Sequence, residues 1–187
     1  MKCADDDTTC FNISRLVDLA TNEMSTKYET FPVTFTEDGS ILLQNEIVRY
    51  GQVILSSANT MCMYSKLQTI TVDSILYTNQ IRHIMNTHKP MTIVDYANDE
   101  VILSDDLPEN VGAIISDNSI SKLMRLSGVI RAQKDVYDAV RKHVLYFIRK
   151  LNDIIYMQYN NTNPDGIEID DVIVRQCVEI GRSIKSF

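Results

Sequence analysis

The stretch Lys134–Tyr159 constrains this chain more than any other. Val136, Val140, Val144, Phe147, Leu151 and Ile154 recur every three or four positions, while Asp138, Arg141, Lys142, Arg149 and Asp153 fall on the other side. That spacing predicts a long amphipathic α-helix. Shorter helices are expected before and after it, over residues 117–125 and 169–179. A short–long–short set with two tight loops cannot bury its apolar stripe by itself, so this half of the chain needs a partner.

The first half repeats the layout. Residues 10–24 predict a helix with Ile13, Leu16, Val17 and Ala20 on one face. Residues 25–40 hold Pro32, Gly39 and several threonines and predict a loop with room for a short strand. A second long helix is expected over 41–65, with Leu43, Ile47, Tyr50, Ile54, Ala58 and Met61 as its stripe. Gly51 inside it costs roughly 1 kcal/mol against alanine. A short extended piece (67–71) and a short helix (72–82) complete the set.

The residues in register carry a family resemblance. From Ile120 to Val172 the chain resembles histone four, through Ile120, Leu123, Arg125, Gly128-Val129, Arg131, Val136-Tyr137-Asp138, Arg141, Phe147 and Asp171-Val172. It departs at Asn163-Pro164-Asp165-Gly166, where that family has a short basic run. The first half resembles histone three, through Arg15-Leu16-Val17, Phe35, Leu43-Gln44, Tyr50, Asn59, Lys66, Thr69-Ile70, Ile75 and Ile81-Arg82. Its first loop is longer than the family's, and nothing matches the family's basic tail. The whole resembles a histone doublet of the kind found in some large DNA viruses. The fold this implies is all-α: a histone-three-like fold with a short acidic tail (1–84), an acidic linker (85–119) and a histone-four-like fold (120–187). The two long helices would cross antiparallel in a handshake. Fusion makes that pairing intramolecular, at an effective concentration in the millimolar range or above.

The resemblance also implies a site. Arg131, with Thr69 from the facing loop, matches the positions that place an arginine in the DNA minor groove, and Lys66 and Arg125 add charge there. Arg15 and Lys122 match a middle contact on the two first helices. At the opposite loop pair, where Lys27 and Thr34 face Asn163 and Asp165, the family's basic residues are gone. Met61, Tyr64, Leu67, Tyr77 and Ile81 match the surface through which two copies of histone three meet. The partners implied are double-stranded DNA (bound weakly by one copy alone), a second copy and other histone-like chains. The location implied is intracellular: host nucleus or viral factory, and virion.

Charge opposes this reading, because the net charge is −7. Residues 1–84 carry six basic and ten acidic residues (net −4), 85–119 one and seven (net −6), and 120–187 eleven and eight (net +3). The rival reading is therefore an acidic histone-fold interaction scaffold or histone mimic. Other classes find no support. There is no phosphate-cradling glycine loop, nucleophile elbow, His-Glu-x-x-His or Cys-x-x-Cys, so no catalytic residue, cofactor or metal is expected. The run 161–166 mimics half of a calcium loop, but Val172 stands where a bidentate Glu belongs. Cys62 and Cys177 read as small buried hydrophobes in a reducing compartment, and His143 and Arg149 as surface residues. No apolar run approaches membrane-spanning length. The acidic N-terminal residues do not form a secretion signal.

Overall fold

The computed structural model describes residues 10–76, 102–184 and 187. The chain is predominantly helical. In order come α1 (Ile13–Lys27), β1 (Val33–Phe35), α2 (Glu37–Tyr64), α3 (Val111–Ile114), α4 (Asp117–Leu126), α5 (Lys134–Tyr159), β2 (Ile167–Ile169) and α6 (Asp171–Ser183). Residues 72–76 are also helical. Polar caps fix four helix starts by accepting a backbone N–H: Asn12 from Arg15, Thr36 from Gly39, Ser116 from Ser119 and Asp170 from Ile173.

The two long helices form the centre. They cross near their midpoints, where the rings of Tyr50 and Phe147 lie 4.9 Å apart. Both ends of the crossing are tied by backbone pairing. β1 runs parallel to β2, with Val33 opposite Ile167, Thr34 opposite Glu168 and Phe35 opposite Ile169. Ile70 bridges Ala132. β1 precedes α2 and β2 follows α5, whereas Ile70 follows α2 and Ala132 precedes α5, so the long helices run antiparallel.

Each half packs its short helices on the other half's long helix. On α5, Asn152 Nδ2 donates to the Ala20 carbonyl of α1 at 2.9 Å, and the ring of Tyr156 stacks on Tyr28 at 3.8 Å. On α2, Glu46 pairs with Arg182 of α6 at 2.5 Å. Gly51 of α2 explains itself here, because Leu123 Cδ2 of α4 occupies the space a Cβ would need. One apolar cluster results. It draws Leu43, Ile47, Ile54 and Ala58 from α2 together with Val136, Val140, Val144, Phe147, Leu151 and Ile154 from α5. Each large side chain so buried contributes roughly 1.5–3 kcal/mol.

Three expectations on α5 are corrected. Arg141, placed on the polar face, is buried: Nε donates to the Ile115 carbonyl at 2.8 Å, Nη1 to Asp138 at 2.7 Å and Nη2 to Asp117. It clamps the start of α4 to α5. His143, read as a surface residue, is also buried, with Nδ1 3.4 Å from the Tyr50 hydroxyl. Arg149 is half-buried and pairs with Glu23 at 2.6 Å. The cause is common to all three. α5 is covered by α1, α2, α4 and α6, so its buried surface wraps far beyond one stripe.

Other boundaries shift. α1 starts at Ile13 and α2 at Glu37, and Ile169 belongs to β2 rather than to α6. The segment read as a linker contributes Ile102, Val111 and Ile115 to the interior, and Lys142 Nζ donates to the Leu103 carbonyl at 2.6 Å. Thr92-Ile93-Val94 of that segment lie outside the described residues. Cys62 and Cys177 are buried free thiols, and burial pushes the Cys177 thiol up to about 11.

Candidate nucleic-acid interface

The two backbone bridges give the molecule two unlike ends. At the first, the Ile70 N–H donates to the Arg131 carbonyl, and the Gln133 N–H to the Ile70 carbonyl, both at 2.9 Å. This brings Thr69-Ile70 beside Arg131-Ala132, so the sequence-expected pair of Arg131 and Thr69 does sit together. Further bonds stiffen the loop. Asn59 Nδ2 donates to the Gly128 carbonyl at 3.0 Å, and Gly128 turns the chain at φ 76°. The Val129 N–H reaches back to the Met124 carbonyl at 2.9 Å.

Arg131, Arg125 and Lys66 are all exposed, and none has an ion-pair partner among the described residues. Lys134, in the first turn of α5, is a fourth such cation that sequence reasoning missed. Lys66 is held in an unusual way. Its φ is 56°, the left-handed region that favours glycine. Around it α2 ends with the Leu67 N–H on the Cys62 carbonyl at 2.8 Å and the Lys66 N–H on the Met63 carbonyl at 3.1 Å. That is the helix stop at which glycine usually stands.

The opposite end carries different charge. Thr34 faces Glu168 across the strand pair, and Asp165 is exposed in the preceding turn. Lys27 is not a free cation there. Its Nζ bonds Asp153 at 2.7 Å, and that hydrogen bond raises its pKa. Gly166, at φ 105°, brings the turn so close that a Cβ would collide with the Pro32 carbonyl.

The middle pair is partly assembled. Arg15 is exposed and its Nη1 donates to the Ala113 carbonyl at 3.3 Å. Lys122 is exposed on α4 and lies near Cys10, whose thiol burial pushes up against a smaller opposing pull from Lys122. Of the expected self-association residues, Tyr64 is 83% exposed, Leu67 is exposed and Met61 is half-buried; Tyr77 and Ile81 lie outside the described residues. The sequence reading missed Met63, which is also exposed at this helix end, and Ile130, which is 91% exposed beside Arg131. Their helix-end and loop positions were the available signal.

No group of three metal-ligating side chains converges among the described residues, and no helix there is long and apolar enough to cross a membrane. No protein-family model matches the chain, and no curated protein matches it.

Proposed function

We propose that this chain is a histone doublet that organises DNA, in which two histone folds make an internal handshake and form the three–four half of a nucleosome-like particle. The observation that carries the reading is the bridge of Ile70 to Ala132, which sets Arg131 beside Thr69 with no anionic partner among the described residues. The reciprocal packing of short helices on long ones supports it. DNA contact is weak and one-ended, since the cations gather at one loop pair and acids stand at the other. Wrapping then requires basic histone-like partner chains. A viral source, with action in the host nucleus or viral factory and carriage in the virion, belongs to the same reading.

Titration of a short DNA duplex by fluorescence anisotropy tests it. Lys66, Arg125 and Arg131 neutralise about three phosphates, which gives a log–log salt slope near −2.7. Arg131→Ala is expected to weaken binding and flatten the slope to about −1.8, with the melting temperature unchanged. Arg175→Ala removes only an exposed 3.4 Å pair with Asp171 and serves as the neutral control. Arg149 cannot serve, because its ion pair joins α5 to α1. Equal losses from Arg131→Ala and Arg175→Ala would reduce the binding to generic charge attraction.

The same reading has two copies meeting at the end of α2. Met63, Tyr64 and Leu67 leave an apolar surface there that calls for cover. Sedimentation at micromolar concentration is expected to find a dimer that Leu67→Glu splits; a monomer unaffected by that change refutes it. The net charge of −7 favours a second reading, an acidic interaction scaffold or histone mimic. Absence of any duplex binding at low ionic strength would decide for it.

A further inference from the structure

Ile130 is the most exposed large apolar side chain among the described residues. Scattered surface isoleucines are ordinary, but this one sits at the tip of a braced loop. Residues on both sides of it are pinned: Gly128 through Asn59, Val129 through the Met124 carbonyl, Arg131 through the Ile70 N–H. Val129 is buried below while Ile130 is held outward. Arg131 follows directly and Arg125 stands in the last turn of α4, both exposed and without ion pairs among the described residues. Ile130 thus holds an apolar group outward next to the exposed guanidinium of Arg131. It is well matched to a B-form minor groove, where phosphates line the rims and the walls are deoxyribose carbon. Proteins that read this groove use arginine and frequently bring apolar side chains, isoleucine among them, into it.

We infer that Ile130 is a minor-groove contact that packs on deoxyribose beside Arg131, gives duplex binding a salt-independent part, and makes the site prefer DNA over double-stranded RNA. This rests on the DNA-binding reading and adds a residue and a selectivity to it. The selectivity has a physical cause. The A-form minor groove is wide and shallow and presents 2′-hydroxyls. Packing Ile130 there strips polar groups of water, whereas the deoxyribose wall has no such group to strip.

The test compares wild type, Ile130→Ala and Ile130→Lys on one duplex sequence made as DNA and as RNA, across a salt series. Ile130→Ala is expected to weaken DNA binding about tenfold, the effect of losing roughly half an isoleucine's burial. Its salt slope stays that of wild type, and the preference for DNA over RNA shrinks. Ile130→Lys is expected to steepen the slope by about 0.9, one further phosphate, and to bind both duplexes alike. Melting temperatures should match throughout, since the side chain lies outside the core.

Unchanged DNA affinity in Ile130→Ala, or an unchanged DNA-to-RNA ratio, overturns this inference while leaving the DNA-binding reading standing. Wild type that binds no duplex at low salt overturns both. If Ile130→Ala instead lowers the sedimenting mass and leaves DNA affinity alone, Ile130 is a contact between protein chains and the inference falls.

Discussion

Phe147→Ala is expected to lower the unfolding free energy by about 3–5 kcal/mol, as for other large buried aromatics. Phe147 is almost fully buried where α5 crosses α2, and its ring meets Tyr50 at 4.9 Å and Phe187 at 4.5 Å. No side chain on one long helix can be removed there without exposing the other. Urea unfolding followed by both far-ultraviolet circular dichroism and tyrosine fluorescence should therefore give one coincident transition, in the wild type and in the variant. Two separated steps would mean that the halves fold independently, against the shared core.

The second large effect depends on pH. Burial lowers the His143 pKa from 6.5 to about 4, and Nε2 has no hydrogen-bond partner among the described residues. The folded protein keeps the ring neutral, while the unfolded chain takes a proton below about 6.5. More protons bound in the unfolded state means that stability falls as pH falls. The loss opens at about 6.5 and continues to the folded value near 4. It amounts to about 2 kcal/mol between pH 7 and 5, and about 3 kcal/mol by pH 4. His143→Leu should remove this component, so the difference between its denaturation midpoint and that of the wild type changes with pH across that window. A difference constant from pH 7 to 4.5 would mean that His143 is solvated after all.

Much of the fold was legible because period and caps agree. The bounds of α5 coincide with its apolar run, and the stripe of Val136, Val140, Val144, Phe147, Leu151 and Ile154 is buried. What failed was the assumption of a single buried face. Arg141 and His143 look polar in the sequence, but α5 is enclosed on several sides, and Arg141 is tolerated inside only because Asp117, Asp138 and the Ile115 carbonyl meet its guanidinium. Asp138 is local, three residues back on α5, but Asp117 and the Ile115 carbonyl come from a segment read as linker and helix start, so no local pattern showed the full set. The start of α2 was misplaced because Gly39 reads as a loop residue. Thr36 followed by Glu37 and Asp38 was the better signal, and Gly39 is required because a Cβ would strike the Ile169 carbonyl. At the candidate interface, the Ile70–Ala132 bridge brings the loop of Thr69 beside the loop of Arg131, the neighbourhood the family resemblance implied. The loop position of Ile130 was a signal left unused, whereas the pairing of Lys27 with Asp153 depends on a distant contact and was not legible.

The backbone at Lys66 sets two demands against each other. A side chain in the left-handed region costs roughly 1 kcal/mol that glycine avoids, so the helix stop after Tyr64 would relax if residue 66 were glycine. The same replacement would delete one of the cations that, among the described residues, lack an ion pair at the end we propose to face DNA. Engineering for heat resistance would push this position towards glycine or asparagine, and the protein would become sturdier as its grip on a polyanion loosened. Thermal hardness and affinity thus trade at a single residue, and a screen that reads only one of them will select against the other.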